Sequence, residues 1–253
     1  MSSRVALLLL SASLLVGCVS SGKVDPLKTE QGRREARDAY IQLGIGYLQE
    51  GSTERAKAPL KKALELDSSS ADAYAALALV FQTEMEPELA DKNYRKALSL
   101  RADDARILNN YGSFLFEQKQ YQEALERFQQ AAADTLYAGR SQVYVNLGLT
   151  SLKLGQRDKA AFYLQKSLRL DSLQPRALLE MASLSYDMKD YVGARSYYQS
   201  FTQLSEQNAR SLLLGIRLAR VFQDRDQEAT LGLQLKRLYP GTEEYQQYVS
   251  EQR

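Results

Sequence analysis

The only thiol in the 253-residue chain is Cys18, and its neighbours limit what that sulfur can do. It follows Leu15-Val16-Gly17, and an apolar run from Val5 to Val16 precedes it, interrupted only by Ser and Ala. One cation, Arg4, stands before the run. A positive start, a short apolar stretch and small residues ahead of a cleavage point are the layout of a secretory signal peptide. The run is 12 residues, whereas a membrane-spanning helix needs about 20. The chemistry expected at Cys18 is therefore modification at a newly made amino terminus.

The Leu-x-Gly-Cys ending resembles the lipobox, in which the thiol is acylated and the chain is cut just before it. The alternative is an ordinary cleaved signal that leaves Cys18 as a free thiol. One acyl chain holds a protein to a membrane only marginally, and two give a stable anchor; a bacterial lipoprotein Cys carries more than one. The expectation is a signal peptide over 1–17, then a lipidated Cys18 and a flexible tether over 18–35 (polar, with Gly22, Pro26 and Gly32). Val19 follows the thiol. In the enteric sorting rule Asp at that place retains a lipoprotein in the inner membrane, so its absence favours the periplasmic face of the outer membrane.

The remaining residue types close off most other chemistries. The chain has no His, which excludes His-based proton transfer and His metal ligation. With one Cys there is no internal disulfide. No Ser sits in a nucleophile-elbow setting, no carboxylate pair stands out from the surface background, and no Gly-rich phosphate loop is present. We therefore expect no enzyme, cofactor, metal or small-molecule substrate. Removing residues 1–17 takes away Arg4 alone, so 33 basic groups become 32 against 31 acidic ones. That balance gives no electrostatic case for nucleic acid. The 16 Tyr suit protein interfaces, because the ring is apolar and the tip polar.

The body of the chain is one unit repeated. In a 34-residue frame starting at Arg37, slots 4, 7, 8, 11, 20, 24 and 27 hold Tyr40, Leu43, Gly44, Tyr47, Ala56, Leu60 and Ala63. One step on they hold Tyr74, Leu77, Ala78, Phe81, Ala90, Tyr94 and Ala97. Three further copies keep the pattern, with two residues inserted at Gly139-Arg140, and a sixth from Ala209 is degenerate. Large, Leu, small, large, Ala, large, Ala is the tetratricopeptide pattern. Each copy is two antiparallel helices, A and B. Small residues at slots 8 and 20 let them approach, and large ones fill the space around them. The expected fold is all-α: a tetratricopeptide-repeat superhelix of about six helix-turn-helix repeats over 36–253, with copies near 37–70, 71–104, 105–138, 141–174, 175–208 and 209–242. Gly51 and Gly155 supply left-handed caps where A helices stop. Ser and Asp in Asp67-Ser68-Ser69-Ser70 and Asp171-Ser172 can start the next helix. Pro59, inside the first B helix, removes a hydrogen bond to Arg55. Its kink is either tolerated on an outer face or shapes the mouth of a groove.

Slots 2, 5, 9, 12 and 13 of the A helices face the concave side in this architecture. They place Ile41, Ile45, Leu48, Ala75, Leu79 and Gln82 there from the first two copies, and Asn109, Ser113 and Phe116 from the third. The fourth offers Val145, Leu149 and Leu152, and the fifth Leu179, Ser183 and Tyr186. An exposed apolar strip of this kind marks a binding surface for an amphipathic or extended segment. The competing reading packs these side chains on the next repeat. The Lys/Asn/Arg clamp that some proteins of this architecture use for a terminal carboxylate is not present. Asn109, Asn110 and Asn146 could hydrogen-bond a ligand backbone, but Asn at slot 6 (Asn110, Asn146) is more readily structural than ligand-binding.

Several stretches go beyond repeat consensus: ARDAYIQLGIGYLQEG (36–51), VFQTEMEPELADKNYRKAL (80–98), NARSLLLGIRLARVFQDRD (208–226) and LQLKRLYPG (233–241). With them the whole chain resembles the PilF/PilW family of type IV pilus biogenesis lipoproteins. The resemblance implies a pilotin role: an outer-membrane lipoprotein, lipidated at Cys18, that binds the secretin subunit and promotes its localisation and multimerisation. A repeat adaptor serving β-barrel assembly or cell-wall enzymes is the alternative in the same compartment.

Overall fold

The computed structural model describes residues 25–252. Cys18, the signal segment and the first part of the tether lie outside the described residues. Thirteen α-helices and one short 3-10 turn make up the regular structure among the described residues. They fall into two compact units that divide after Leu100. The first holds α1 (Glu30–Gln49), α2 (Thr53–Leu66), α3 (Ala71–Thr83) and α4 (Pro87–Leu100). The second holds α5 (Ala105–Glu117), α6 (Tyr121–Ala133), α7 (Arg140–Lys153), α8 (Arg157–Leu170), α9 (Pro175–Asp187), α10 (Tyr191–Leu204), α11 (Ala209–Val221), α12 (Arg225–Leu238) and α13 (Glu243–Ser250). Within each unit, consecutive helices pair as A and B hairpins, the tetratricopeptide fold.

The close approach inside four of the six hairpins has one cause. A Cβ built on Gly44 would lie 2.6 Å from Leu60 Cγ, and one on Gly148 would lie 2.6 Å from Leu164 Cγ. Gly112 meets the Phe128 ring at 2.7 Å in the same way, and Gly215 meets Leu231 Cδ1 at 2.8 Å as well as the closer Tyr198 ring of α10. In all four pairs the large residue follows the glycine by 16 positions. Three lie at slots 8 and 24 as the frame predicts. The fourth lies one residue early, so the sixth copy keeps the packing rule while slipping the frame. Ala56, Ala90, Ala124, Ala160 and Ala194, all at slot 20, are fully buried.

Every A helix ends in the same way. The residue at slot 15 is left-handed in all six copies: Gly51, Met85, Lys119, Gly155, Lys189 and Gln223, with φ between 57° and 75°. The next amide then donates five residues back, as Ser52 N does to the Tyr47 carbonyl at 2.8 Å and Asp190 N to that of Ser185 at 2.9 Å. This is the Schellman arrangement, which satisfies the last carbonyls of the helix. The glycines were expected there. The other four adopt the same conformation despite carrying a Cβ.

The structure corrects several expectations. Residues 30–35 are the opening turns of α1 and not tether. Thr29 Oγ1 accepts from Gly32 N at 2.9 Å, and Arg34 donates to Glu30 at 2.9 Å one turn back, so the helix starts early. Pro59 is buried within α2 and does not lie on an outer face. Ser70 caps α3 as expected, but Asp171 does not start α9: it closes α8, its backbone amide donating to the Ser167 carbonyl, and Gln174 is the residue before α9. The Asp171 carboxylate accepts from Leu173 N and Gln174 Nε2, which places the turn two residues before Pro175 opens α9. Tyr40 and Leu43, read as core slots, are exposed, Leu43 at 46%, because no helix among the described residues covers that face of α1. The sequence frame also gives no sign of α13. Its Tyr245 and Tyr248, with Tyr239 before it, pack on Leu212, Leu213 and Ile216 of α11 and Leu235 of α12.

Candidate functional site

In the first unit the candidate surface is carried by α1 and α3. Successive turns of α1 present Ile41, Ile45 and Leu48, at the i, i+4, i+7 spacing of one helix face. Ile41 is only 4% exposed and packs with Ala63 of α2 and Ala73 of α3. Ala75 is 1% exposed. These two side chains fill the contacts between helices and are unavailable to a partner, a correction to their placing in the groove. The reason is geometric: slot 5 of one A helix points toward the next A helix and not into open space. Ile45 and Leu48 are half-buried, their inner edges against Ala63 and Ala73 for Ile45, and against Leu77 and Val80 for Leu48. Leu79 is also half-exposed. Gln82 is half-buried, and its Oε1 accepts from Tyr94 Oη at 2.8 Å. The surface left for a partner here is thus a narrow apolar strip.

The second unit is built differently at the same slots. Asn109 and Ser113 on α5 are half-exposed, and Ser113 Oγ donates to the Asn109 carbonyl at 3.0 Å. Asn146 on α7 donates through Nδ2 to Asn109 Oδ1 at 3.0 Å, while its own Oδ1 accepts from Gln142 at 3.2 Å. The two amides therefore fix each other across neighbouring hairpins. The Asn109 amino group has no partner among the described residues. Phe116 is half-buried, edge-on to Tyr121 at 5.3 Å and packed against the cluster of Val145, Leu149 and Met181. Ser113, Phe116, Asn146 and Leu149 line a cavity of about 290 Å³, together with Glu117, Phe128 and Arg176. Val145, Leu149 and Leu179 are otherwise buried, whereas Leu152, Ser183 and Tyr186 stay half-exposed.

Two arginines on this side of the second unit contrast. Arg210 of α11 grips the buried Glu180 of α9 with two hydrogen bonds of 2.6 and 2.7 Å and also reaches Ser183. That bidentate hydrogen bond holds the guanidinium pKa above its ordinary value, against the cost of burial. Arg176 lies in the first turn of α9, is exposed, and makes no ion pair or hydrogen bond among the described residues. Sequence reasoning passed over Arg176. The available signal was its slot, the second of the fifth copy, which belongs to the concave set.

Among the described residues no helix is long and apolar enough to cross a membrane, and no group of three metal-ligating side chains is present. The surfaces described are suited to contacts with polypeptide: apolar edges, amide donors and one free cation.

Models of the tetratricopeptide repeat match residues 38–70 and 71–104, 103–172 and 145–209. The chain is 62% identical over 251 residues to type IV pilus assembly protein PilF of Pseudomonas aeruginosa, covering 99% of this chain and 100% of that protein. The solved structure of Pseudomonas aeruginosa PilF matches with a TM-score of 0.86 at 63% identity, over 87% of this chain and 99% of that one. The crystal structure of PilW, a widely conserved type IV pilus biogenesis factor, matches with a TM-score of 0.72 at 28% identity, over 84% and 98%.

Proposed function

Because the chain belongs to the PilF family of tetratricopeptide-repeat type IV pilus assembly proteins, we propose that it is the pilotin of its machine. In this reading Cys18 carries the lipid that holds the chain on the periplasmic face of the outer membrane. The A-helix faces take an apolar segment of the secretin subunit, which would otherwise aggregate. Tethering both at one surface raises the effective concentration of subunits and favours their multimerisation. The observation that carries the proposal is kinship along the full chain, including the segment around Cys18. The half-exposed Ile45, Leu48 and Leu79 of the first unit, and Phe116 of the second, support the binding step, since apolar side chains left at a surface mark contact sites.

The test is a deletion strain complemented with variants, read by secretin multimers in fractionated membranes. Cys18→Ser is expected to leave a folded, unanchored protein and secretin stranded in the inner membrane. Leu79→Gln is expected to weaken secretin capture while circular dichroism stays unchanged. Normal outer-membrane rings in the Cys18→Ser strain would refute the anchoring step.

A further inference from the structure

The cavity lined by Phe116, Leu149, Asn146 and Arg176 brings together three features: an apolar wall, a fixed amide and a cation. Its apolar side is Phe116 and Leu149. Its polar side is Asn146, held in one orientation by its bond to Asn109, which keeps an unused amino group. It is also lined by Arg176, a cation that makes no ion pair or hydrogen bond among the described residues. The acidic side chain on the same wall, Glu117, is already engaged. Arg176 also sits in the first helical turn, where the positive end of the helix disfavours a cation and where α9 carries no acidic residue to offset it. In the neighbouring hairpin the equivalent charge, Arg210, is fully matched by Glu180.

We propose that this cavity is a specificity pocket for an acidic side chain lying beside an apolar one on an extended polypeptide, the carboxylate meeting Arg176 and the apolar group resting on Phe116 and Leu149. A guanidinium presents paired N–H donors that match a carboxylate. A volume of about 290 Å³ admits one or two side chains and not a folded element. The proposal rests on the pilotin reading only in taking the ligand to be a polypeptide. It adds a charge requirement to a binding face that the sequence describes as apolar.

The experiment pans a random octapeptide library against the full chain and against Arg176→Gln. The wild type is expected to enrich peptides with Asp or Glu next to a large apolar residue. Arg176→Gln is expected to keep the apolar preference and lose the acidic one. The enriched peptide and its uncharged counterpart, Asp changed to Asn or Glu to Gln, are then titrated against both proteins. The acidic peptide should bind the variant about tenfold more weakly, the loss expected for one charge-assisted contact. The amide peptide should bind both proteins equally. Unchanged circular dichroism excludes misfolding as the cause.

Enrichment with no acidic bias, or equal weakening of both peptides by Arg176→Gln, would overturn the proposal. So would sedimentation of the peptide-free chain as a dimer that Arg176→Gln dissolves, since a second copy would then own the pocket. An acidic consensus that the secretin subunit lacks would leave the pocket standing and remove secretin as its ligand.

Discussion

The fourth hairpin, α7–α8, and the sixth, α11–α12, solve one packing problem with different surroundings. In both, a glycine backbone receives a leucine 16 residues later: Gly148 and Leu164 in one, Gly215 and Leu231 in the other, where Gly215 also receives the Tyr198 ring of the preceding hairpin. The fourth hairpin has another hairpin on each side, and its contact is wholly enclosed, with Leu164 fully buried. The sixth is closed by the single helix α13. There the cover is three tyrosines and a charge network: Arg217 to Glu251 at 2.5 Å, Arg220 to Glu251 at 2.8 Å, and Arg220 to Glu228 at 2.6 Å. Size complementarity governs the interior. Amphipathic rings and ion pairs, which tolerate water, govern the end.

The largest expected effect strikes the enclosed contact. Gly148→Val drives its Cβ into Leu164, which has no open space to enter. The cost is about 3 kcal/mol, or roughly 10 °C in Tm. The contrasting variant is Gly232→Val on α12, whose new Cβ meets the hydroxyl end of Tyr248. That ring is partly exposed and can swing outward, so the cost is expected to stay under about 1 kcal/mol. Equal melting losses in the two variants would show that the end is packed as tightly as the interior.

A smaller effect follows from removing α13. Ending the chain at Gly241 uncovers Leu213 and Ile216 and deletes Glu251, the shared acceptor of two arginines. The expected loss is about 2 kcal/mol and local, because a repeat array loses stability mainly next to the missing contact. Hydrogen exchange should speed up in α11 and α12 and stay unchanged in α5 to α8. Unaltered protection in α11 would mean that α13 is not a cap.

These contrasts show what the sequence reveals and what it conceals. The slot-20 alanines, the glycine-to-large pairs and Gly51 and Gly155 are legible because each packing demand there admits few residue types. Met85, Lys119, Lys189 and Gln223 take the same left-handed turn with no compositional sign, since the six-residue hydrogen bond around them imposes it. Helix α13 is hidden because a lone helix has no partner in a two-helix period. The candidate site is half-legible. Of the A-helix slots, Ser113 and Phe116 line one cavity and Asn109 bonds Asn146 on its wall, but apolar identity does not separate Ile41, which fills a contact, from Ile45, which reaches its edge. Arg176 went unnoticed because a lone surface cation is common; only the surrounding cavity gives it significance.

The smallest effect has the opposite sign. Slot 27 holds Ala63, Ala97 and Ala131 in three copies, all fully buried, but Ser167 in the fourth. The Ser167 hydroxyl is buried with no hydrogen-bond partner. A buried hydroxyl without a partner has lost its water and gained nothing, a penalty of about 1 kcal/mol or more. Ala also favours the helix over Ser by a few tenths of a kcal/mol. Ser167→Ala should therefore stabilise the chain by about 1 kcal/mol, roughly 2–4 °C in Tm. The reciprocal Ala131→Ser, in the third hairpin, should lower Tm by a similar amount. If Ser167→Ala melts earlier than the parent, the hydroxyl is bonded after all, and the enclosed hairpin holds a polar contact that the end hairpin lacks.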